Sequence, residues 1–179
     1  MNNKILLQKF EEVITTALQY FPELDSIRIQ FIQKKRFHFT VASLINRRSL
    51  FGPRAKRSFT IIINTQVPLE FDHGLFSKLP QNLQIGLLGH ELAHIVDYQQ
   101  RNFFQVVKIL IFYLIPSRKQ TFERSIDIIA IKHGMWEYLH GFYTHFTSKY
   151  PHKTKKFMES YLNDDQIKKL TSTLTRKHI

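Results

Sequence analysis

Residues 80–99 read PQNLQIGLLGHELAHIVDYQ, and this stretch decides the expected fold. Its apolar residues recur at helical spacing, and Pro80 suits the first turn of a helix. The stretch therefore predicts a helix from Pro80 to about Gln99. Gly86 and Gly89 are small residues within it, so we expect another element of the fold to approach this helix closely.

Three residues of this helix form the pattern H-E-x-x-H: His90, Glu91 and His94. Residues four apart on a helix lie about 40° apart around its axis and about 6 Å along it, so both imidazoles can reach one zinc ion. Glu91 is turned about 100° from His90, which suits a general base for a zinc-activated water better than a ligand. Composition alone gives roughly a 2% chance of one such match, so the pattern needs supporting context.

A catalytic zinc site has three protein ligands and one open position, so a third ligand must lie elsewhere in the chain. We predict Glu123, because Glu123 and Asp127 are four apart on a later helix that ends at Gly134. Asp127 would accept a hydrogen bond from a ligating histidine, most simply His90, and fix its tautomer. Ala130 and Gly134 would allow that helix to pack closely. The rival third ligands are His133, His140 and His145.

Other side chains are candidates for supporting roles around this centre. Asp97 lies seven residues after His90 on almost the same helix face. It could support His94, bind a nearby cation, or be a plain charge at the helix end. Hydrolysis would also need an oxyanion donor opposite the metal. The sequence offers four candidates without choosing among them: His133, Tyr138, His140 and Tyr143.

The remaining sequence predicts a small sheet before this helix and further helices after it. An amphipathic helix is expected over Lys4–Tyr20. Period-2 alternation predicts a strand over Ser26–Ile32, a turn at Lys34–Lys35, a return strand through Phe37, Phe39 and Val41, and a third strand over Phe59–Ile63. Later helices are expected over Phe103–Leu114, from a Ser117–Gln120 capping box to Gly134, over Met135–Thr147, and as two short tail helices.

These elements predict an α+β fold in one domain, residues 1–179. The expected order is an N-terminal helix and a three-stranded sheet, the H-E-x-x-H helix, the glutamate helix and further C-terminal helices. We expect the sheet in residues 1–70, the catalytic helices in residues 71–148 and a helical tail in residues 149–179.

The motif HELAH at residues 90–94, followed by Glu123, Asp127, Ala130 and Gly134, resembles the gluzincin zinc metallopeptidases. It is most similar to the group that contains HtpX and the CAAX prenyl endopeptidases, and to their small relatives, the minigluzincins. The resemblance covers roughly residues 59–134. It implies a zincin-like fold, one zinc ion held by the two histidines and Glu123, a base role for Glu91, and support by Asp127.

In enzymes of this kind an edge strand above the cleft pairs with extended substrate. Phe59–Asn64 resembles that strand by position and composition, so the expected substrate-pairing residues are Phe59, Ile61, Ile63 and Asn64. The integral-membrane members of the group have transmembrane helices, whereas this chain has no apolar stretch of adequate length. Its most apolar stretch, Phe103–Ile115, has about 13 residues where a membrane span needs roughly 20.

Charge and cysteine content limit the partners and the compartment. The net charge is +12, and residues 26–69 hold nine Lys or Arg and no Asp or Glu. This favours an acidic partner or nucleic acid, unless the basic stretch is only a solvated loop. The absence of cysteine excludes disulfides and thiolate chemistry, and we expect a cytoplasmic protein. Five of the basic residues crowd together: Arg47, Arg48, Arg54, Lys56 and Arg57.

Three alternatives to a freely diffusing zinc endopeptidase stay open. One is a peptidase acting on DNA-associated proteins, as the SprT-like proteases do, although their histidine ligand follows the motif closely and no histidine occurs here between His94 and His133. The second is a non-catalytic zinc- or nucleic-acid-binding module, in which Glu91 is dispensable. The third is a membrane-surface peptidase that contacts lipid through Phe103–Ile115.

Overall fold

The computed structural model describes residues 4–35, 40–66 and 74–149, together with Leu162, Asp165, Gln166 and Lys169. Within these residues the chain is α+β, as predicted, with six helices and a four-stranded mixed sheet. The elements in chain order are β1 (Lys4–Ile5), α1 (Glu11–Gln19), β2 (Arg28–Lys34), β3 (Val41–Ile45), α2 (Arg47–Leu50), β4 (Ser58–Asn64), α3 (Gln81–Gln100), α4 (Phe103–Phe112), α5 (Pro116–Lys132) and α6 (Trp136–Lys149).

The sheet has one strand more than predicted, because the first residues of the expected N-terminal helix are extended. Lys4 and Ile5 pair in parallel with Ile29 and Gln30 of β2. The Lys4 ammonium also donates to the carbonyl of Ile27 at 2.7 Å, which ties the strand down. The prediction of a helix from Lys4 is therefore wrong, and α1 begins only at Glu11.

The strand order is β1-β2-β4-β3, so β4 lies inside the sheet. It pairs in parallel with β2 on one side and antiparallel with β3 on the other. The strand predicted over Ser26–Ile32 and its predicted return strand, which correspond to β2 and β3, therefore do not pair as a hairpin. Strand β3 starts at Val41. The predicted strand residues Phe37 and Phe39 lie outside the described residues.

The prediction that Phe59–Asn64 is the substrate edge strand is wrong for the same reason. Phe59, Ile61, Ile63 and Asn64 are all buried within β4, and that strand already has a partner on each side. A nearly continuous apolar run is typical of a strand that is covered on both faces. The edge strand next to β4 is β3.

Helix α3 forms the centre of the helical half. Every residue from Leu83 to Asp97 is buried, as expected of a helix that other elements surround. It contacts α1, α5, α6 and strand β3. A Cβ added at Gly86 would overlap the backbone carbonyl of Tyr138 on α6, and one added at Gly89 would overlap the Met135 side chain. The expected close approach at both glycines is therefore confirmed.

The signal predicted for the start of α5 is wrong, and the one predicted for its end is confirmed. Pro116 occupies the first turn and no side chain caps the helix, so the predicted Ser117–Gln120 capping box is wrong. The C-terminal prediction is confirmed, since Gly134 follows the helix with a left-handed φ of 85°. A Cβ on Gly134 would meet Tyr20 rather than α3, so this glycine ends the helix without helping the two helices pack.

None of the helices in the described ranges combines the length and the apolar composition that crossing a membrane requires. The two predicted tail helices lie almost entirely outside the described residues.

Candidate metal centre

Three side chains predicted as metal ligands converge between α3 and α5. His90 Nε2 and His94 Nε2 are 3.2 Å apart. Glu123 Oε2 lies 3.2 Å from His90 Nε2 and 3.4 Å from His94 Nε2. All three side chains are buried. The group could hold a metal ion, and it is the one group of this kind among the described residues.

The separations of these atoms suit a small metal ion. Ligand atoms placed tetrahedrally at 2.0–2.1 Å from one zinc ion are about 3.3–3.4 Å from one another. The three observed separations, 3.2, 3.2 and 3.4 Å, agree with that spacing. Each atom also has an electron pair to offer, and a shared cation would satisfy all three at once. The residues present therefore fit such an ion.

Asp127 fixes the orientation of the His90 ring, as predicted. Its carboxylate is fully buried and accepts a hydrogen bond of 3.0 Å from His90 Nδ1, which leaves Nε2 facing the other two donors. The Tyr143 hydroxyl donates to the same oxygen at 2.6 Å, and the Leu162 N–H donates to the second oxygen at 3.0 Å. Tyr143, proposed as an oxyanion donor, instead supports Asp127.

His94 is held by packing. Its ring stacks on Tyr98, with centroids 5.9 Å apart, and lies 5.5 Å from the ring of Phe122. Its Nδ1 makes no hydrogen bond to any residue that the structure describes. Asp97 therefore does not support His94, contrary to one reading of the sequence. The Arg101 guanidinium, four residues further along, donates to both Asp97 oxygens at 2.5 and 2.7 Å, since its fork matches a carboxylate.

Glu91 stands apart from the three metal donors although it follows His90 directly. Its side chain is buried, and its Oε2 accepts a hydrogen bond of 2.7 Å from the backbone N–H of Ser43 on β3. As expected from its position on the helix, this carboxylate is not one of the three converging donors. The sheet edge and α3 thus meet at Glu91.

Tyr113 and Tyr98 also belong to the centre, and the sequence interpretation missed both. The Tyr113 hydroxyl donates to Glu123 Oε1 at 2.8 Å, so the two oxygens of this carboxylate have separate partners. Burial, with the negative charges of the nearby glutamates, raises the pKa of both tyrosines well above the usual range. Both hydroxyls therefore stay protonated and able to donate. The signal that could have indicated Tyr113 is weak: an aromatic residue shortly before Pro116, where the chain turns into the glutamate helix.

The buried charges of the centre depend on one another. Burial opposes protonation of His90, but hydrogen bonds to Asp127 and Glu123 and their negative charges outweigh it and raise the pKa of His90 well above 6.5. Burial likewise opposes ionisation of Glu123, yet hydrogen bonds from His90 and His94 hold its pKa far below the usual range. The raised pKa of His90 and the lowered pKa of Glu123 thus have the contact between these two side chains as a common cause.

The other predicted oxyanion donors and rival ligands lie outside the group of metal donors. His133 is stacked on Phe21 and hydrogen bonds to Glu23 at 2.7 Å. Tyr138 packs its ring against Tyr20. His140 and His145 are likewise absent from the group, although both were candidates in the sequence.

One of the five crowded basic residues is structural. Arg57 is buried, and its guanidinium donates to the carbonyls of Tyr98 and Arg101 at the end of α3, at 2.6 and 2.7 Å. Arg47 and Arg48 line an open cavity of about 420 Å³ together with Arg28. The exposed members of the crowded five are therefore Arg47, Arg48, Arg54 and Lys56.

Comparisons of the chain with protein-family models, with curated proteins and with solved structures found no match. What the chain does is therefore inferred from the geometry and chemistry of this centre.

Proposed function

We propose that this chain is a zinc-dependent endopeptidase of the gluzincin type, with His90, His94 and Glu123 as ligands and Glu91 as general base. The observation that carries the proposal is the convergence of two imidazole nitrogens and one carboxylate oxygen within 3.4 Å of one another, beside a glutamate that is not part of the group. His90, Glu91 and His94 were predicted from the motif, and Glu123 from its four-residue spacing to Asp127 on the later helix.

The number of ligands supports a catalytic rather than a structural site. Structural zinc sites are closed by four protein ligands, whereas catalytic sites keep an open position. Among the described residues the group has three members, all buried. A module that used zinc only for folding would also have no need for a buried carboxylate at Glu91.

The roles of the residues follow from their positions. Zinc, when bound, lowers the pKa of water and polarises the scissile carbonyl. The Glu91 carboxylate takes a proton from the attacking water and passes it to the leaving amine. Asp127 keeps His90 Nε2 directed at the ion, and Tyr113 restrains the second oxygen of Glu123.

Strand β3 is the part of the sheet that favours an extended substrate. Successive residues of a strand direct their backbone groups to opposite sides. The backbone bonds of Thr40 and Asn46 go to β4, so Val41, Ser43 and Ile45 present their N–H and C=O groups to the open edge. A peptide added there would lie beside Glu91, which already contacts Ser43.

The identity of the metal is part of the proposal. Two histidines and one carboxylate also bind non-haem Fe(II) in oxygenases, so the ligand set alone admits either ion. Glu91 favours zinc hydrolysis, because a buried carboxylate next to the ligands is what a general base requires. Elemental analysis of protein purified without added metal distinguishes the two.

The test combines metal content with peptide cleavage. We expect one zinc per wild-type chain, loss of zinc in Glu123→Ala, and retention of zinc with at least a hundredfold lower turnover of a peptide library in Glu91→Gln. Glu137→Gln, at an exposed glutamate in the first turn of α6, is the matched control and should behave as wild type. Undiminished cleavage by Glu91→Gln, or wild type that binds iron rather than zinc, would contradict the proposal.

A further inference from the structure

Helix α4 exposes an apolar face. Only Val106 and Ile109 of this helix are buried, although almost all of its residues are apolar. Phe104 is 80% exposed and Leu114, just past the helix, is 81% exposed. We call the apolar residues of this segment that are more than half exposed the α4 face: Phe104, Leu110, Ile111 and Leu114.

The basic stretch adjoins this face. The Phe51 ring, 78% exposed, contacts Phe103 at the start of α4, with centroids 5.2 Å apart. Arg57 is fixed to the last turn of α3, immediately before α4 begins. The residues between Phe51 and Arg57 are therefore held at both ends close to the beginning of the α4 face.

The charges around the α4 face are of one sign. Arg54 and Lys56, which lie between Phe51 and Arg57 in the chain, are exposed and make no ion pair within the described residues. At the other end of α4, Lys108 and Arg118 lie over the Phe112 ring and Lys119 over the Tyr113 ring. The sequence contains no Asp or Glu in residues 26–69 or 98–122.

We propose that the α4 face, Phe51 and the flanking basic residues form one surface that docks on an anionic lipid bilayer. A helix that lies in the interface inserts its apolar side among the acyl chains while basic residues beside it attract anionic headgroups. The ten residues of α4 span about 15 Å, half the thickness of the hydrocarbon core, so the helix lies along the membrane.

The combination of charge and apolar exposure selects a lipid surface over nucleic acid. Phosphate backbones bind Lys and Arg but have no place for a row of exposed Leu, Ile and Phe side chains. Docking would also bring the metal centre close to the membrane, because Tyr113 at the end of α4 bonds to Glu123. The docking surface itself is independent of the proposed catalysis.

The test is co-sedimentation of the full chain with vesicles of phosphatidylcholine alone and of phosphatidylcholine containing roughly one-third phosphatidylglycerol. We expect binding to the anionic vesicles that weakens at about 1 M salt. Phe104→Ser combined with Leu114→Ser should lower the partition coefficient at least about tenfold. Arg54→Gln combined with Lys56→Gln should lower it about 30-fold, since each charge contributes about fivefold.

Two control variants remove similar groups elsewhere. Ile5→Ser alters an exposed apolar residue on β1, the opposite edge of the sheet from β3, and Lys132→Gln removes a charge at the far end of α5. Both should bind vesicles as wild type does. Circular dichroism checks that every variant is folded. Wild-type levels of binding in the Phe104→Ser and Leu114→Ser variant, equal binding to neutral vesicles, or binding to duplex DNA but not to anionic vesicles would overturn the proposal.

Discussion

The backbone N–H of Ser43 donates a hydrogen bond of 2.7 Å to Oε2 of Glu91, and this bond joins the open edge of the sheet to the middle of α3. The N–H that a substrate strand would use thus already holds the carboxylate proposed as general base. A substrate strand that paired with the Ser43 N–H would therefore have to displace Glu91 Oε2 from it, and the energy of this bond sets how readily it could do so.

Replacing Ser43 by proline removes that donor without removing a ladder hydrogen bond, because the Ser43 N–H faces away from β4. Proline is tolerated at an edge strand where the N–H points outward. The matched control is Ile45→Pro, whose N–H faces the same open edge and makes no hydrogen bond within the described residues. We expect Ser43→Pro to lower the free energy of unfolding by about 1.5–3 kcal/mol more than Ile45→Pro, the contribution of a hydrogen bond to a charged group.

Urea denaturation of the metal-free proteins measures this difference. Equal stabilities of the two proline variants would mean that the bond to Glu91 contributes nothing to the folded state.

Asp127 is predicted to control metal affinity through His90. The substitution Asp127→Asn keeps the size of the side chain but removes the charge that holds the His90 Nδ1 proton. Losing such a partner typically lowers metal affinity about 10–100-fold. Asp97→Asn is the control, because Asp97 pairs with Arg101 and contacts neither histidine ligand through a hydrogen bond. Competition with a chromophoric zinc chelator measures both, and similar affinities for the two variants would argue against the role of Asp127.

Tyr113 is predicted to restrain the carboxylate ligand. Tyr113→Phe removes the hydroxyl that donates to Glu123 Oε1 and leaves that oxygen without this partner. We expect zinc affinity to fall about 10–100-fold, since a hydrogen bond to a charged group contributes about 1.5–3 kcal/mol. Tyr138→Phe serves as the control because the Tyr138 ring packs against Tyr20, outside the metal group. Unchanged affinity of Tyr113→Phe in the same chelator assay would show that Glu123 needs no such restraint.

The candidate ligands could be predicted because their relationships are local. His90, Glu91 and His94 lie within one turn of one helix, and Glu123 and Asp127 are four apart on another, so helix geometry alone fixes which side chains share a face. The step between the two helices depended on the Glu123–Asp127 spacing and on small residues that would allow close packing, and the resemblance to gluzincins implied the same ligand.

The errors concern relationships that helix and strand periodicity do not encode. The order of strands in a sheet depends on pairing between distant segments, so the apolar run of β4 looked like an edge strand although it lies inside. Asp97 lies on the helix face from which it could support His94. Its carboxylate instead accepts hydrogen bonds from Arg101, four residues later. Tyr113 reaches Glu123 only because the chain reverses at Pro116, a geometry that sequence patterns do not specify.

Metal binding is predicted to release a proton from His90. The folded-state pKa of His90 is raised above its ordinary 6.5, so its protonation stabilises the metal-free protein fully below that pH, and this contribution is lost as the pH rises through the higher folded value. The raised pKa keeps His90 protonated without metal to a higher pH than a free imidazole, and ligation of zinc requires the loss of that proton. Calorimetric titration in two buffers of different ionisation enthalpy should give about one proton released per zinc. Binding without proton release would mean that His90 is neutral in the metal-free protein. The variant Asp127→Asn should release fewer protons, because Asp127 helps to raise the pKa of His90.

The two glycines of α3 are predicted to differ in what they tolerate, because different groups approach them. A Cβ at Gly86 would overlap the backbone carbonyl of Tyr138, which cannot move without shifting α6. A Cβ at Gly89 would meet the end of the Met135 side chain, which can rotate away. Alanine gains about 0.5–1 kcal/mol over glycine within a helix, whereas overpacking against fixed atoms costs about 1–3 kcal/mol.

We therefore expect Gly86→Ala to lower the free energy of unfolding by about 1–2 kcal/mol and to weaken zinc binding if α3 shifts relative to α5. Gly89→Ala should be close to neutral, and urea denaturation of the two variants side by side measures the difference. Equal tolerance at both positions would mean that α6 does not hold its backbone against Gly86.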